Sequence, residues 1–378
     1  MKQTQTTIRK LSTKQHIKII IAGGGTGGHI FPAIAIAHAV KQLRPDADIL
    51  FVGAKGKMEM EKVPKEGYSI VGLDIAGFNR SSLLKNLMLP YKLIKSLFQA
   101  KRIINDFAPN AVVGVGGYAS FPMLYVAQQK GIATLIQEQN SFAGKSNKIL
   151  GKRATAICVA YDHMDAFFPQ NKIYNIGNPV RQSIANSTVS KQEGIRFFGL
   201  NETKKIVFAF GGSLGAKSIN ETLMLQFKEI VAEGAQLIWQ TGTSYFSLAK
   251  EAVRGFESQV KVFEFIREMD LAYAAADIIV SRSGASSIAE LCIVAKPIVF
   301  VPYPFASEDH QTHNAMALVQ RNAALMVKDS EIKNELLQKI KLLMQDEVMA
   351  GLMTQNLKQM AIKEADVSIA KKLIEIAS

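Results

Sequence analysis

The run Gly23-Gly24-Gly25-Thr26-Gly27-Gly28 constrains the fold of this chain more than any other feature. Residues 17–22, apolar except Lys18, lead into it as a buried strand. Residues 31–43 follow as a helix with Pro32 in its first turn. A strand that ends in glycines and passes at once to a helix opens a parallel βαβ unit. The same plan recurs. Residues 49–52 form a second strand, and residues 111–115 another, followed by Gly116-Gly117 and a helix from about Phe121. In the second half, 206–210 is a strand, Gly211 to Gly215 a turn, and a helix starts at Ala216. Residues 277–280, Ser283-Gly284 and 285–294 repeat strand, turn and helix. The chain therefore reads as a duplicated α/β architecture with parallel sheets. Its glycine turns lie at carboxyl strand ends, where open sheets bind ligands, so two crevices should face across a cleft.

At 378 residues the chain is long enough for two or three domains. Gly177-Asn178-Pro179 reads as the linker. The expected division is a flexible extension over 1–16, a first domain over 17–177, a second over 178–365, and a C-terminal helix over 366–378 packing back on the first domain. With 48% apolar and 20% charged residues, disorder is excluded for most of the chain. Two cysteines, Cys158 and Cys292, cannot build a disulfide framework or a four-thiolate metal site, and they suit a reducing compartment. The apolar run after the basic N-terminus is too short for a secretory signal. Residues 107–129 carry no charge, but their glycines, Pro122 and amides fit strand, turn and helix better than a membrane span.

The net charge of +13 is unevenly placed. Residues 1–178 hold 23 Lys/Arg against 10 Asp/Glu, whereas 179–378 hold 22 of each. The front half should therefore meet something anionic. Residues 75–105 contain Arg80, Lys85, Lys92, Lys95, Lys101 and Arg102 and no acidic residue, interleaved with Leu87, Met88, Tyr91, Ile94 and Phe98. That is more apolar surface than one buried stripe uses. Cations set among surplus apolar groups suit an anionic bilayer face, and the plain alternative is a core helix with a solvated lysine face.

Several residues could carry chemistry. The first glycine run offers close backbone approach and a helix N-terminus for an anion. A nicotinamide cofactor would need a carboxylate near the end of the second strand, and Phe51-Val52-Gly53-Ala54-Lys55 supplies none. Asp46 and Asp48 precede that strand and read as solvated. His29 stands at the helix mouth, either as a neutral general base or as a capping histidine. Ser286 and Ser287 open a helix whose N–H groups and hydroxyls could hold a diphosphate. Glu290 lies three residues after Ser287, which fits a capping box as well as a carboxylate on two ribose hydroxyls. His310 and His313 resemble metal ligands without further support. Gln311 and Asn314 fit sugar hydroxyls better.

The ordered set GGGTGGHIFPAIAIA, GVGGYASFP, QEQNSFAGKSNK, GNPVR, GGSLGAKSIN, SRSGASSIAELCIVAKPIVFVPYP and DHQTHNA resembles the family of bacterial lipid I N-acetylglucosaminyltransferases, over nearly the whole chain. The resemblance implies a GT-B fold, two Rossmann-like domains with parallel sheets facing across a cleft. It implies inverting transfer of N-acetylglucosamine from its UDP-sugar to the 4-hydroxyl of the N-acetylmuramoyl unit of lipid I, giving lipid II, without metal or other cofactor. Residues 17–177 would bind acceptor and membrane, and 178–365 the UDP-sugar. Thr26, Gly27 and Gly28 would line the sugar and acceptor side, and Asn140 would touch the donor sugar. Arg181 and Ser213 would contact the nucleotide, and Ile266 the uracil through its backbone. Ala285, Ser286, Ser287, Ile288, Ala289 and Glu290 would hold diphosphate and ribose, with Glu290 on the ribose. Gln311 would read the sugar, and His29 would assist catalysis. Where the family often carries histidine before Glu-Gln-Asn, this chain has Gln137. Arg80, Lys85, Leu87, Met88, Lys92 and Lys95 would meet an anionic membrane on its cytoplasmic side, with cell-wall synthesis proteins as further partners and no nucleic acid. The rivals are another GT-B sugar-nucleotide enzyme, such as an epimerase or a different lipid glycosyltransferase, and a non-catalytic nucleotide-responsive membrane scaffold.

Overall fold

The structure is a computed structural model that describes residues 16–77, 88–212 and 214–378. Residues 1–15, Arg80, Lys85, Leu87 and Ser213 lie outside them. Two parallel sheets organise the described residues. The front sheet contains β1 (Lys18–Ala22), β2 (Asp48–Ala54), β3 (Ser69–Leu73), β4 (Ala111–Gly114), β5 (Ala133–Glu138), β6 (Ala156–Val159) and β7 (Ile173–Asn175). The rear sheet contains β8 (Ile206–Phe210), β9 (Gln236–Gln240), β10 (Val260–Phe263), β11 (Ile278–Ser281), β12 (Ile298–Phe300) and β13 (Leu325–Met326).

The strand orders are β3-β2-β1-β4-β5-β6-β7 and β10-β9-β8-β11-β12-β13. Both are the doubly wound order, in which the direction of winding reverses between the first and fourth strands. The glycine turns after β1 and β4 flank one such reversal, and the turns after β8 and β11 flank the other. Each crevice is thus open where the chain turns on glycine.

Helices cover both faces of each sheet, which is why central strands such as Ile206–Phe210 are apolar runs rather than alternating. In β1, Ile19 and Ile21 enter one front core while Ile20 and Ala22 enter the other. The rear core centres on Trp239, Phe208, Phe227 and Phe300, all fully buried. Trp239 donates Nε1–H to Asn220 at 2.9 Å, so its one polar group is satisfied.

The chain crosses between the domains twice. Gly177 takes φ +89, and Ile362 of the return crossing packs against it. A Cβ on Gly177 would stand 2.9 Å from the Ile362 Cδ1. The last helix, Ala365–Ala377, lies on the helix Gly27–Leu43 and gives Ile369, Ala370, Leu373 and Ala377 to the front core. Leu373→Ala should cost about 2–5 kcal/mol. Urea denaturation followed by a front-domain probe checks this; an unchanged midpoint would show the helix to be dispensable.

Some local expectations shift. The first helix starts at Gly27 with Thr26 as its N-cap, four residues before Phe31. First-turn N–H groups need no intrahelical partner, so glycine costs less there than propensity suggests. Asp46 pairs with Arg44 at 2.7 Å and Asp48 with His16 at 2.8 Å, both at the surface.

Candidate active site

The front crevice is built by two glycine turns pressed together. Gly24 N–H donates to the Gly116 carbonyl at 3.2 Å, and a Cβ on Gly117 (φ +85) would fall 2.1 Å from the Gly24 oxygen. Glycine at 117 is therefore required by contact within the protein. Gly28 differs: a Cβ there would meet only Thr26 Oγ1, at 3.7 Å. The space beside it is open for something else.

His29 lies half-buried in this crevice, its ring over Gly116. Its Nδ1 is 3.1 Å from the Gly24 carbonyl and 3.2 Å from Thr26 Oγ1. A carbonyl only accepts, so Nδ1 carries the proton and Nε2 of the neutral ring is a free base. Burial pushes the imidazole below its ordinary pKa. The Gly24 bond opposes the shift, the charge of His310 in the rear domain adds to it, and Glu59 opposes it. The ring is held in place by its own loop and does not cap the helix.

Glu59 was not legible as part of the site. It opens the short helix Glu59–Lys65 beyond the end of β2 and is buried. Its Oε1 accepts the Ala54 N–H at 3.0 Å, and its Oε2 accepts the Gly25 N–H at 2.8 Å. A carboxylate does stand near the end of β2, but the glycine loop consumes it. One N–H that an anion could have used is already taken by a fixed negative charge.

The loop after β5 is held by Glu138, buried, which accepts from the Asn140 N–H at 3.1 Å, the Gly144 N–H at 3.2 Å and Asn147 Nδ2 at 2.8 Å. Gln137 donates to Asn178 Oδ1 at 2.8 Å and accepts from Gln139 Nε2 at 2.8 Å. The Gln137 amide thus ties β5 to the linker.

The rear domain reaches this loop through the helix His310–Val319. Asn314 is fully buried. Its Oδ1 accepts from the Ser141 N–H at 2.9 Å, and its Nδ2 donates to Asn140 Oδ1 at 3.1 Å. Beside it, His313 stacks on Phe142 with ring centroids 4.9 Å apart. Asn314 therefore spends its amide on holding the domains together and does not offer it to a sugar in this state. Gln311 Oε1 accepts the Tyr303 N–H at 3.0 Å, and its carbonyl accepts from Ser283 Oγ at 2.8 Å. His310 donates Nδ1–H to the Ser307 carbonyl at 2.6 Å. The two histidines serve different partners and do not converge.

The helix Ala285–Val294 points its N-terminus into the rear crevice with Gly284 as N-cap and no side-chain cap. The Ser287–Glu290 capping box does not form, because Ser287 lies inside the helix rather than at its cap. Glu290 instead takes both Arg181 nitrogens, Nε on Oε1 and Nη2 on Oε2, at 2.6 Å each. Tyr273 donates its hydroxyl to Oε2 at 3.2 Å. The bidentate fork fixes Arg181, just past the linker, against the rear domain. Ser286 Oγ is buried and has no hydrogen-bond partner among the described residues. An orphaned hydroxyl beside free helix N–H groups fits an absent oxyanion. On the other side of the crevice the Ile266 N–H donates to Gln240 Oε1 at 2.8 Å. Gln240 also donates Nε2–H to the Gly212 carbonyl at 3.0 Å and so links two turns.

A cavity of about 580 Å3 lies between the domains on the linker side, walled by Tyr161, Asn178, Ile288, Cys292, Met316 and Ile362 among others, and by none of the glycine turns.

Two doubly wound domains with glycine turns at both reversals, a free imidazole on one side and an uncapped helix N-terminus on the other, define a sugar-nucleotide transferase of GT-B architecture. Residues 19–159 match the glycosyltransferase family 28 N-terminal domain, and residues 206–373 match its C-terminal domain. The UDP-N-acetylglucosamine--N-acetylmuramyl-(pentapeptide) pyrophosphoryl-undecaprenol N-acetylglucosamine transferase of Phocaeicola vulgatus is 51% identical over 96% of this chain and 97% of its own. The Bacteroides fragilis protein of the same name is 49% identical over 96% of each. The crystal structure of Acinetobacter baumannii MurG superposes with a TM-score of 0.78 at 27% identity, covering 95% of this chain and 99% of that one. The chain belongs to glycosyltransferase family 28, and within it to the family of these N-acetylglucosamine transferases.

Proposed function

We propose that this chain transfers N-acetylglucosamine from UDP-N-acetylglucosamine to the 4-hydroxyl of the N-acetylmuramoyl unit of lipid I, inverting the anomeric carbon and giving lipid II. The observation that carries this reading is the opposition, across one cleft, of a free His29 Nε2 and an uncapped rear helix end with the unpartnered Ser286 hydroxyl. The two sides offer what a direct displacement needs, a base for the incoming hydroxyl and donors for the departing diphosphate.

The front domain takes the acceptor and the rear domain the donor. Glu59 places negative charge beneath the front glycine loop, so the donor diphosphate sits better at the rear helix end. There the N–H groups of Ala285, Ser286 and Ser287 face it, with Ile288 and Ala289 packing behind. Arg181 and Glu290 hold the nucleoside side as one unit, and Glu290 keeps lone pairs for the ribose hydroxyls. The Ile266 carbonyl meets the uracil, and Asn140 and Gln311 the sugar. Thr26, Gly27 and Gly28 give the acceptor room. His29 Nε2 takes the 4-hydroxyl proton as the oxygen bonds to the anomeric carbon, and the bond to the diphosphate breaks with its electron pair leaving on UDP. The test is radiolabelled UDP-sugar with a lipid I analogue and the full chain, with EDTA present. A β-linked disaccharide product is expected; donor binding without transfer would sink the proposal.

The acceptor is carried on lipid, and the helix Leu89–Phe107 offers a docking face. Its inner side buries Ser96, Ala100 and Ile104, while Tyr91, Ile94 and Phe98 form an outer stripe 59%, 57% and 70% exposed. Met88 extends the stripe. Lys92 flanks it, whereas Lys95 is bound to Asp74 at 3.0 Å, together with Lys55, and contributes less free charge. No helix among the described residues is long and apolar enough to cross a membrane. We place this face on the anionic cytoplasmic leaflet. Ile94→Ser with Phe98→Ser should weaken binding to phosphatidylglycerol vesicles at least about tenfold, since each buried side chain is worth about 1.5–3 kcal/mol. Unchanged cosedimentation would remove the membrane face.

A further inference from the structure

The rear sheet has a second edge, away from the cleft, where β8, β11 and β12 begin. A cavity of about 440 Å3 opens there, walled by Lys205, Asp277, Lys296, Leu343, Thr354 and Lys358 among others. A cavity of this size is large enough for a small ligand.

Its charges do not balance. Asp277 is already spent, with Oδ1 on Lys191 and Oδ2 accepting the Ile206 N–H at 2.9 Å. Lys205 donates to the Met344 carbonyl at 2.7 Å and stands 3.7 Å from the exposed Glu347. Among the described residues Lys296 and Lys358 have no acidic partner within ion-pair distance. Lys296 is half-buried and held in place. Ala295 before it takes φ 52 to cap the helix Ala285–Val294, and Pro297 follows. Burial lowers the Lys296 pKa; Asp277 opposes the shift, and Lys191 and Lys358 add to it. The carbonyl end of the helix offsets part of one positive charge. The remainder is a surplus of ammonium groups around an open pocket, and each ammonium can bind an anion through several N–H donors.

We propose that this cavity is an anion site for a phosphate or diphosphate group, separate from the cleft and on the opposite edge of the rear sheet. A bound phosphate would supply the missing countercharge and accept from Lys296 and Lys358 together, with the Thr354 hydroxyl at hand. The phosphate could belong to a soluble metabolite or to a lipid headgroup.

Calorimetric titration of the full chain with inorganic pyrophosphate, in excess UDP to fill the cleft, tests this. Wild type should show one saturable event. Lys296→Ala with Lys358→Ala should weaken it tenfold or more, while Lys333→Ala with Lys371→Ala, a surface pair elsewhere, should leave it unchanged. Lys296→Arg with Lys358 intact should retain it. Equal affinity in the cavity variant, equal loss in the surface pair, or no saturable event would overturn the proposal. Melting curves monitor folding; if the double alanine variant unfolds, Lys296→Gln with Lys358→Gln takes its place under the same criteria. Phosphatidylglycerol vesicles then separate the sources. Pyrophosphate-competed vesicle binding that the cavity variant loses identifies a lipid headgroup, and vesicle binding unaffected by the variant identifies a soluble anion.

Discussion

His29→Ala lowers kcat by a factor of about 10²–10⁴, the usual contribution of a positioned general base, while the KM for the sugar nucleotide changes little. The split follows from position. The ring belongs to the front crevice, bound to the Gly24 carbonyl and Thr26. The melting temperature should stay near wild type, because the ring leaves a half-buried space rather than a core void. The pH profile is a second check. His29 works as a base only when neutral, and its pKa lies below the ordinary 6.5. Activity should therefore persist as pH falls through 6.5 and drop only below it. The alanine variant should lose that acid limb. A limb that stays in place in the variant would assign the proton to another group.

Glu290→Ala should raise the donor KM by roughly two orders of magnitude, the scale of losing a charge-assisted contact in a partly enclosed site. Two losses coincide: the acceptor proposed for the ribose, and the fork that holds Arg181. Glu290→Gln keeps the shape but cannot accept at both oxygens from Arg181, so it should recover only part of the affinity. Stability should fall less than binding, because Arg181 is 43% exposed at its side chain and water can take over its charge. A variant that binds donor normally but melts far lower would make the pair purely structural.

The fold class was readable because parallel strands buried on both faces are short apolar runs, and each crevice opens on glycine. Local spacing was less informative about partners. Ser287 and Glu290 have capping-box spacing, but the helix caps at Gly284, three residues earlier. The true partner of Glu290 lies 109 residues away in sequence, and no local pattern reports that distance. Glu59 shows the same limit. It sits in a charged stretch with no motif of its own, and only the return of that short helix against Gly25 makes it part of the site. The glycines after β4 suggested a ligand, yet Gly117 answers first to the Gly24 carbonyl. Asn314 read as a sugar amide and serves to join the two domains. Close approach and long-range pairing are tertiary facts, and composition carries them only as an excess of small or polar residues.

The helix Ala365–Ala377 follows the whole rear domain along the chain, yet it completes the core of the domain that precedes it. The rear lobe can therefore mature during translation, whereas the front lobe must wait, with part of its apolar surface uncovered, until that helix has been made. A cut between the rear domain and this helix would accordingly be felt at the first glycine loop.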